Sequence, residues 1–323
     1  MSNLQTILVI MNPVSGQKDH EKVRADVEAF LDEAGVQYEI RETEGEGDAL
    51  KWAQETDADL VIAAGGDGTI MEAMSGLIKS ERRVPLAQLP LGTANLLARA
   101  LGVPIGTEDA LEVALNGVAV PMDVGYLPEK DKYFSLVAGA GWDASLIEDA
   151  TRDIKNRLGF FAYIVTGVRN LFKLHRSRIT VQIDGEPKRF KAHTVMLVNV
   201  GEILGTGFQL AENVSPHDGK LNLAVASPES FWDILRLVFR LATKQFANYR
   251  DLQYFDAEHI RVEAEPPLKL EIDGEPIGET PFEAKVVPAG AVLIVPQKYA
   301  DAKELTDVRQ ERAGAEEAVV SEQ

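Results

Sequence analysis

A run of small and acidic residues that could bind a phosphate lies at residues 65–69, where the sequence reads GGDGT. The motif separates an apolar run from a segment with helical spacing. Glycines let a backbone approach a ligand closely, and the first N–H groups of a helix favour an anion. Asp67 would repel that anion unless a cation lay between them. The motif therefore predicts an anion held together with a divalent metal, although a plain turn with an aspartate cap would use the same residues.

Similar turns follow two other strand-like runs. Residues 12–16 read NPVSG and residues 90–95 read PLGTAN, each directly after an apolar segment. The carboxyl ends of parallel strands meet at one edge of a sheet, where α/β proteins bind their ligands. Three such turns favour one shared binding site over three unrelated loops. The fingerprints GxxxxGK[ST] and GxGxxG are absent, so P-loop and Rossmann interpretations lack their motifs.

The sequence IDGE occurs twice, at residues 183–186 and 272–275. Each copy ends a strand-like run, and Asp-Gly is the usual pair in a tight hairpin turn. The glutamate of either copy could also accept a proton from a substrate. The residues themselves do not decide whether Glu186, Glu275 or neither takes part in catalysis.

The hydrophobic pattern divides the elements that must position these motifs into two groups. Up to about residue 123, apolar strands alternate with helical segments, which is typical of a parallel sheet covered on both faces. After residue 123, strand-like runs separated by Gly, Asp and Pro turns predict a mostly antiparallel β domain. Helical segments at about 152–174 and 229–247 interrupt this domain. The predicted fold class is therefore α/β followed by β.

The amino-acid composition restricts the kinds of chemistry and of binding partner that are open to the protein. The chain has 323 residues, no cysteine and a net charge of −18, which excludes thiolate chemistry and argues against binding nucleic acid. Residues 1–123 carry a net charge of −12, whereas residues 151–190 carry +6. No apolar run is long enough to cross a membrane, and the N terminus lacks a basic signal region, so we expect a cytoplasmic protein.

Basic residues also follow a helical spacing in the second half of the chain. Arg236, Arg240 and Lys244 would share one face of the helix at 229–247. Both predicted helices can cover the β domain with their apolar faces. Their basic faces could then meet anionic lipid headgroups, where each Lys or Arg contributes roughly 1 kcal/mol.

The chain resembles the diacylglycerol kinase catalytic-domain family in four motifs that occur in the same order along the sequence. They are the turns at 12–16, 65–69 and 90–95 and the late Asp-Gly-Glu at 273–275. That family includes bacterial lipid kinases and the sphingosine and ceramide kinases, and its GGDGT turn is also similar to that of NAD kinases. The resemblance covers about residues 5–297. It implies a two-domain lipid kinase with ATP in the cleft. An α/β nucleotide-binding domain at 1–123, completed at about 288–310, would precede a β-sandwich-like lipid domain at 124–287 and a mobile tail at 311–323.

The resemblance also implies roles for individual residues. Glu275 would be the general base on the lipid hydroxyl, while Asp67 and Asp273 would organise Mg²⁺. Because the family motif is the late one, Glu275 is favoured over Glu186. The residues expected to contact ATP are Asn12, Thr43, Gly65, Gly66, Asp67, Gly68, Thr69, Glu72, Gly92, Thr93 and Asn95.

Residues 216–221 (PHDGKL) are similar to a family loop that binds a structural Mg²⁺. The expected ligands are the carboxylate of Asp218 and the backbone carbonyls of Ser215 and Lys220. His217 replaces an acidic residue that often precedes Asp-Gly in that loop, so a plain turn is an equal alternative.

Two departures from the family pattern remove polar groups from the predicted cleft. Met71 replaces an asparagine of the GGDGT-x-N-E pattern, and Leu96 replaces an aspartate that often follows the asparagine of the second turn. These two departures favour one alternative to an active lipid kinase, a decayed regulator that binds nucleotide or lipid. A second alternative, an NAD kinase, stays open because the glycine turns alone do not exclude it. The expected partners are a lipid substrate and an anionic membrane surface, with no nucleic acid, and a homodimer stays open.

Overall fold

The computed structural model describes residues 6–16, 19–141, 176–203, 208–209, 214–230 and 251–309, together with positions 232–233, 236, 239–240, 243 and 249. The chain forms two compact units. The first comprises Met1–Met122 and Ala289–Gln323, and the second comprises Asp123–Pro288. The predicted helix at 152–174 and the predicted tail at 311–323 lie outside the described residues.

The first unit alternates strands and helices. Its elements are β1 (Thr6–Met11), α1 (His20–Ala34), β2 (Gln37–Glu42), α2 (Asp48–Glu55), β3 (Leu60–Gly65), α3 (Asp67–Lys79), β4 (Leu86–Pro90), α4 (Leu96–Ala100) and α5 (Thr107–Asn116). The strands form a parallel sheet in the order β2-β1-β3-β4. All six residues of β3 are buried, as expected for a central strand that is covered on both faces.

The second unit consists mainly of antiparallel strands, of which the first begins and the last ends in the first unit. They are β5 (Val118–Leu127), β6 (Lys132–Phe134), β7 (Val137–Ala140), β8 (Ser177–Ile183), β9 (Glu186–Ala192), β10 (Thr194–Val198), β11 (Glu202–Ile203), β12 (Phe208–Gln209), β13 (Leu221–Ala226), β14 (Leu252–Ala257), β15 (His259–Glu265), β16 (Lys269–Ile272), β17 (Glu275–Glu279) and β18 (Phe282–Val295). A short helix, α6 (Gln297–Ala302), follows β18 in the first unit.

Two layers of strands enclose the core of the second unit. One layer has the order β14-β13-β10-β7-β16-β17, and the other pairs the start of β18 with β15, β8 and β9. Buried side chains from both layers, such as Leu197 and Val262, belong to one apolar cluster. This arrangement confirms the predicted fold class of an α/β domain and a β-sandwich-like domain.

The end of β18 returns to the first unit. Leu293 lies beside Leu86 of β4 in parallel register, so the last strand extends the parallel sheet beyond β4. The sheet that carries the glycine turns is therefore completed by residues just over 200 positions later in the chain.

The predicted basic face at 229–247 requires a correction. Arg240 is mostly buried, because its guanidinium pairs with Asp251 at 3.0 Å and covers the Tyr249 ring at 3.4 Å from the ring centroid. Arg236 is exposed, and Lys244 lies outside the described residues. A buried carboxylate attracts the cation more strongly than water-screened headgroups would, so Arg240 does not contribute to an outward basic face.

Candidate active site

The three glycine turns of the first unit lie against one another. The N–H groups of Leu91 and Gly92, after β4, donate to the carbonyl oxygen of Gly65 at the end of β3, at 2.8 and 3.3 Å. A Cβ atom added at Gly92 would lie 2.7 Å from the Cα of Gly66, and one at Gly16 would lie 1.9 Å from the carbonyl oxygen of Leu91. No side chain fits at these crossings, so the sequence needs glycine there.

Asn12 connects the end of β1 to the GGDGT turn. Its backbone N–H donates to the carbonyl of Ala64 at 2.9 Å, and its side-chain Nδ2 donates to Thr69 Oγ1 at 3.1 Å. Thr69 is buried and folds back over Gly65, where an added Cβ would lie 2.5 Å from Thr69 Oγ1. Asn12 and Thr69 thus fix the turn from both sides.

Helix α3 begins at Asp67, so Gly68 and Thr69 belong to its first turn. The first N–H groups of a helix have no acceptor within the helix and attract anions. Gly68 is exposed, as is Thr93 in the neighbouring turn. This end of α3 therefore offers backbone donors to a phosphate.

Asp67 links α3 to α4. Its Oδ1 accepts a hydrogen bond from the N–H of Leu97 at 3.2 Å. A carboxylate has about four acceptor positions, so one such bond leaves capacity for a metal or its bound waters. The Asp67 carboxylate fits the Mg²⁺ role that the sequence predicts.

Asn95 is the last residue of the 90–95 turn and has a left-handed backbone conformation, with φ at 48°. Its Nδ2 donates to the carbonyl of Gly92 at 2.8 Å. The side-chain oxygen is buried and has no hydrogen-bond partner. A buried acceptor without a donor costs free energy, and a bound ligand with a hydroxyl or amino group would satisfy it.

Thr43 and Glu72 lie at the side of the turns where β2 ends. The N–H of Thr43 donates to the carbonyl of Met11 at 2.9 Å. Glu72 accepts from the N–H of Gly47, just before α2, at 3.0 Å. Burial raises the pKa of Glu72, and the Gly47 N–H opposes that change. The sequence did not reveal the Gly47 contact, because nothing in its pattern pairs residues 47 and 72.

We expect the difference in unfolding temperature between the Glu72→Gln variant and the natural protein to shift in favour of the variant as pH increases above 4.5, the ordinary pKa of glutamate. The folded protein holds the Glu72 proton more tightly than the unfolded chain does, so the natural protein loses stability as pH rises through this window. Glutamine cannot titrate but can still accept the Gly47 N–H.

Thermal unfolding of both proteins at a series of pH values measures this difference. Glu81→Gln, which changes an exposed glutamate after α3, is the control and should leave the pH profile unchanged. A constant difference between the Glu72→Gln variant and the natural protein at all pH values would show that Glu72 is not the titrating group.

In the second unit, Asp273 holds the hairpin turn between β16 and β17. Its carboxylate accepts four hydrogen bonds, from the N–H and the hydroxyl of Ser135 and the N–H groups of Leu136 and Val137, at 2.7–3.1 Å. Burial raises the pKa of Asp273, while these donors lower it. Its acceptor positions are filled, so a metal at this carboxylate would have to displace backbone donors.

The turn places Glu275 at the start of β17, where it is exposed. Asp273 has φ at 47° and Gly274 at 91°, the pair of positive values that a tight hairpin turn requires. The chain therefore presents the Glu275 carboxylate to solvent from a rigid turn, a suitable location for a proton acceptor.

The other IDGE copy has the same architecture. Asp184 and Gly185 have φ values of 49° and 90°. The carboxylate of Asp184 accepts from the N–H groups of Glu258 and His259 at 3.0 and 2.8 Å, and Glu186 is exposed at the start of β9. The two IDGE copies thus form hairpin turns of the same kind, which explains why the residues alone could not decide between Glu186 and Glu275.

The loop at residues 215–220 lies beside a buried aspartate that the sequence analysis missed. Asp123 accepts from the N–H of Gly219 at 2.6 Å, and its own N–H donates to the carbonyl of Pro216 at 2.7 Å. Partial burial raises the pKa of Asp218, the N–H of Lys220 opposes this, and the carboxylates of Asp123 and Asp256 add to it. A lone acidic residue between Met122 and Val124 in an apolar strand was the signal that could have revealed Asp123.

No group of three or more acidic or histidine side chains that could bind a metal occurs among the residues that the structure describes. A cation at the 215–220 loop would therefore depend on one carboxylate and on backbone carbonyls, as the sequence predicts for Ser215, Asp218 and Lys220.

Comparison with known proteins identifies the family. Residues 6–127 match the model of the diacylglycerol kinase catalytic domain, and residues 136–295 match that of the YegS C-terminal NAD kinase beta sandwich-like domain. A diacylglycerol kinase of Bacillus subtilis is 32% identical over 300 residues, covering 91% of this chain and 97% of that protein. The chain belongs to the diacylglycerol kinase family. It is therefore a kinase, as the resemblance predicted.

Other family members support this assignment. A probable lipid kinase YegS of Escherichia fergusonii is 29% identical, with 90% of this chain and 95% of that protein covered. The crystal structure of a diacylglycerol kinase from Bacillus anthracis superposes with a TM-score of 0.77 at 26% identity, over 92% of this chain and 99% of that chain. The family resemblance thus spans both units.

Proposed function

We propose that this kinase transfers the γ-phosphoryl group of ATP to a hydroxyl of a diacylglycerol-like lipid. The observation that carries the proposal is the direct contact of three glycine turns around the start of α3, in a chain of the diacylglycerol kinase family. The first N–H groups of α3, beside these turns, would supply backbone donors to a phosphate chain. The names of the relatives support a lipid as the acceptor.

The residues of the first unit fit ATP with Mg²⁺. Phosphoryl transfer depends mainly on positioning and on neutralising negative charge. The N–H groups at the start of α3 would hold phosphate oxygens, and Asp67 would hold Mg²⁺ or its waters. Bound Mg²⁺ would neutralise charge between the phosphates. The buried oxygen of Asn95 would accept a hydrogen bond from the nucleotide.

In the second unit, Glu275 would accept the proton of the lipid hydroxyl. The four hydrogen bonds to Asp273 support a positioning role for that residue, because they fix the turn that presents Glu275. Asp273 would then act on catalysis through Glu275. Preference for Glu275 over Glu186 rests on the order of the motifs in the family.

A transfer assay with γ-labelled ATP and a panel of acceptors tests the proposal. Diacylglycerol, ceramide, sphingosine and NAD are compared under the same conditions. We expect the label in phosphorylated lipid. Label in the dinucleotide alone would favour an NAD kinase, and ATP binding without any transfer would favour a decayed regulator, in keeping with Met71 and Leu96 in place of polar residues.

A second proposal concerns the 215–220 loop, which we infer to bind a structural Mg²⁺. Without nucleotide, Mg²⁺ should raise the unfolding temperature of the natural protein more than that of the Asp218→Asn variant, because a ligand of the folded state stabilises it. Differential scanning fluorimetry over a Mg²⁺ series measures this. The exposed Asp26→Asn change on α1 is the control and should keep the full response.

If Asp218→Asn and the natural protein respond equally to Mg²⁺, the loop is a plain turn. Calcium serves as a comparison ion, because hard oxygen ligands bind both cations but differ in the geometry that they accept.

The lipid acceptor also implies where in the cell the enzyme acts. Long-chain lipids reside in membranes, so the enzyme would act at a membrane surface from the cytoplasmic side and supply phosphorylated lipid to phospholipid synthesis. None of the helices described in the structure has the length and apolar character to cross a bilayer. Access to the lipid would then come from peripheral contact.

A further inference from the structure

Two large aromatic side chains are exposed on the segment 229–247, for which the sequence predicts a helix. Trp232 is 71% exposed and Phe239 is 62% exposed. Both have helical backbone, as do Asp233, Arg236 and Arg240. The N–H of Thr243 donates to the carbonyl of Phe239 at 2.9 Å, a helical hydrogen bond. Exposed aromatic side chains at this spacing are typical of a surface that meets an apolar partner.

The exposed residues share one side of this segment. At 3.6 residues per turn, positions 232, 236, 239 and 243 fall within about 60° of one another, and all four residues are exposed. Arg240, at the border of this side, is turned inward to Asp251 and Tyr249. Among the described residues of this segment, the outward face therefore combines two aromatic rings with the cation of Arg236, whose guanidinium lies 3.5 Å from the Asp233 carboxylate.

A basic hairpin adjoins the start of the segment. Arg176 donates to the carbonyl of Lys191 at 3.0 and 2.6 Å and pairs with Glu229 at 3.1 Å. Asp233 in turn accepts the N–H of Glu229 at 3.2 Å. The end of β9 and the beginning of the segment are thus connected through one arginine.

The hairpin β8–β9 carries exposed cations. Arg178 faces Lys191 and Thr180 faces Arg189 in register, on the exposed face of β8. The only acidic residue of β9 is Glu186, at its far end. The guanidinium of Arg178 lies 3.8 Å from the carboxylate of Glu265. Both side chains are more than 80% exposed, so this ion pair is weak. Arg189 and Lys191 carry charge at an edge of the sheet.

We propose that the exposed face at positions 232, 236, 239 and 243 docks onto an anionic lipid bilayer. Trp232 and Phe239 would enter the headgroup boundary, where aromatic rings are favoured. Arg236 and the cations of the β8–β9 hairpin would face anionic headgroups. This inference rests on the proposed lipid acceptor, since that substrate lies in a membrane. It replaces the basic stripe that includes Arg240 with an aromatic face flanked by cations.

Sedimentation with vesicles of phosphatidylcholine, with and without phosphatidylglycerol, tests the surface. We expect the Trp232→Ser, Phe239→Ser double variant to bind anionic vesicles at least about tenfold more weakly. The Arg178→Glu, Arg189→Glu double variant should lose the part of binding that salt reverses. A double variant of matched charge, Arg82→Glu with Arg83→Glu in the loop after α3, should bind as the natural protein does.

Activity on lipid dispersed in detergent separates this inference from the proposed function. We expect the Trp232→Ser, Phe239→Ser variant to keep that activity and to lose activity on vesicles. If the natural protein binds vesicles through this face but phosphorylates no lipid, the proposed function fails and the docking surface stands.

Unchanged vesicle binding by the aromatic double variant would overturn the docking proposal. The docking proposal would also be overturned if the natural protein were a dimer, the aromatic double variant were a monomer in sedimentation equilibrium, and vesicle binding stayed intact. A second copy of the chain would then cover this face in the natural protein. Circular dichroism of each variant checks that the fold is kept.

Discussion

The Glu275→Gln variant is expected to reduce the turnover number by roughly 10²- to 10⁴-fold, the usual contribution of a general base. Glutamine has nearly the same shape as glutamate but cannot accept a proton. The Glu275 side chain is exposed and its backbone is held by the Asp273 turn, so the fold should be unaffected. ATP binding should also be unchanged, because the expected nucleotide contacts lie in the first unit.

Glu186→Gln is a closely matched control for this experiment. Glu186 also follows an Asp-Gly turn with two positive φ angles and is also exposed at the start of a strand. Any general effect of removing such a carboxylate would appear in both variants. Full turnover in the Glu275→Gln variant with ATP binding intact would refute the general-base assignment, and a selective loss in Glu186→Gln would transfer the role to the earlier turn.

The second large effect is expected from Gly92→Ala. The new Cβ would lie 2.7 Å from the Cα of Gly66 and 2.8 Å from Asn95 Oδ1, distances that real structures do not tolerate. The two turns must therefore separate, and overpacking of this kind costs roughly 1–3 kcal/mol. Since both turns are expected to contact ATP, we predict a loss of ATP affinity of at least about tenfold, a change of 1.4 kcal/mol.

Isothermal titration with ATP and Mg²⁺, together with urea unfolding, measures both consequences for Gly92→Ala. Gly45→Ala is the control, because a Cβ at Gly45 meets no atom within 4 Å and its φ lies outside the left-handed region. That variant should retain its stability or gain up to about 1 kcal/mol from a less flexible unfolded chain. Unchanged ATP affinity in Gly92→Ala would mean that the junction of the two turns is not part of the nucleotide site.

The parallel sheet and the position of its glycine turns could be predicted from the sequence. The apolar run of β3 and the glycines that follow it are strong local signals, and strand ends of a parallel sheet must share one edge. What the sequence could not show is how closely the turns approach. Contacts such as Gly16 with Leu91 join residues distant in the chain, and no local pattern encodes their separation.

Two edge strands carry little hydrophobic signal in the sequence. Strands β9 and β17 have mostly exposed residues, because one side of each strand has no neighbour to pack against. Their sequences lack the alternation of a half-buried strand and are typical of protected sheet edges. Similarly, the inward turn of Arg240 depends on Asp251 and Tyr249, whose approach follows from the fold and not from helical spacing.

The most direct test of the proposed function is the transfer of γ-labelled phosphate from ATP to diacylglycerol in detergent micelles, with and without Mg²⁺. We expect labelled phosphatidic acid that requires Mg²⁺, is lost in Glu275→Gln and persists in Glu186→Gln. Absence of labelled lipid from a folded protein that binds ATP would contradict it, as would labelled lipid that forms equally well without residue Glu275.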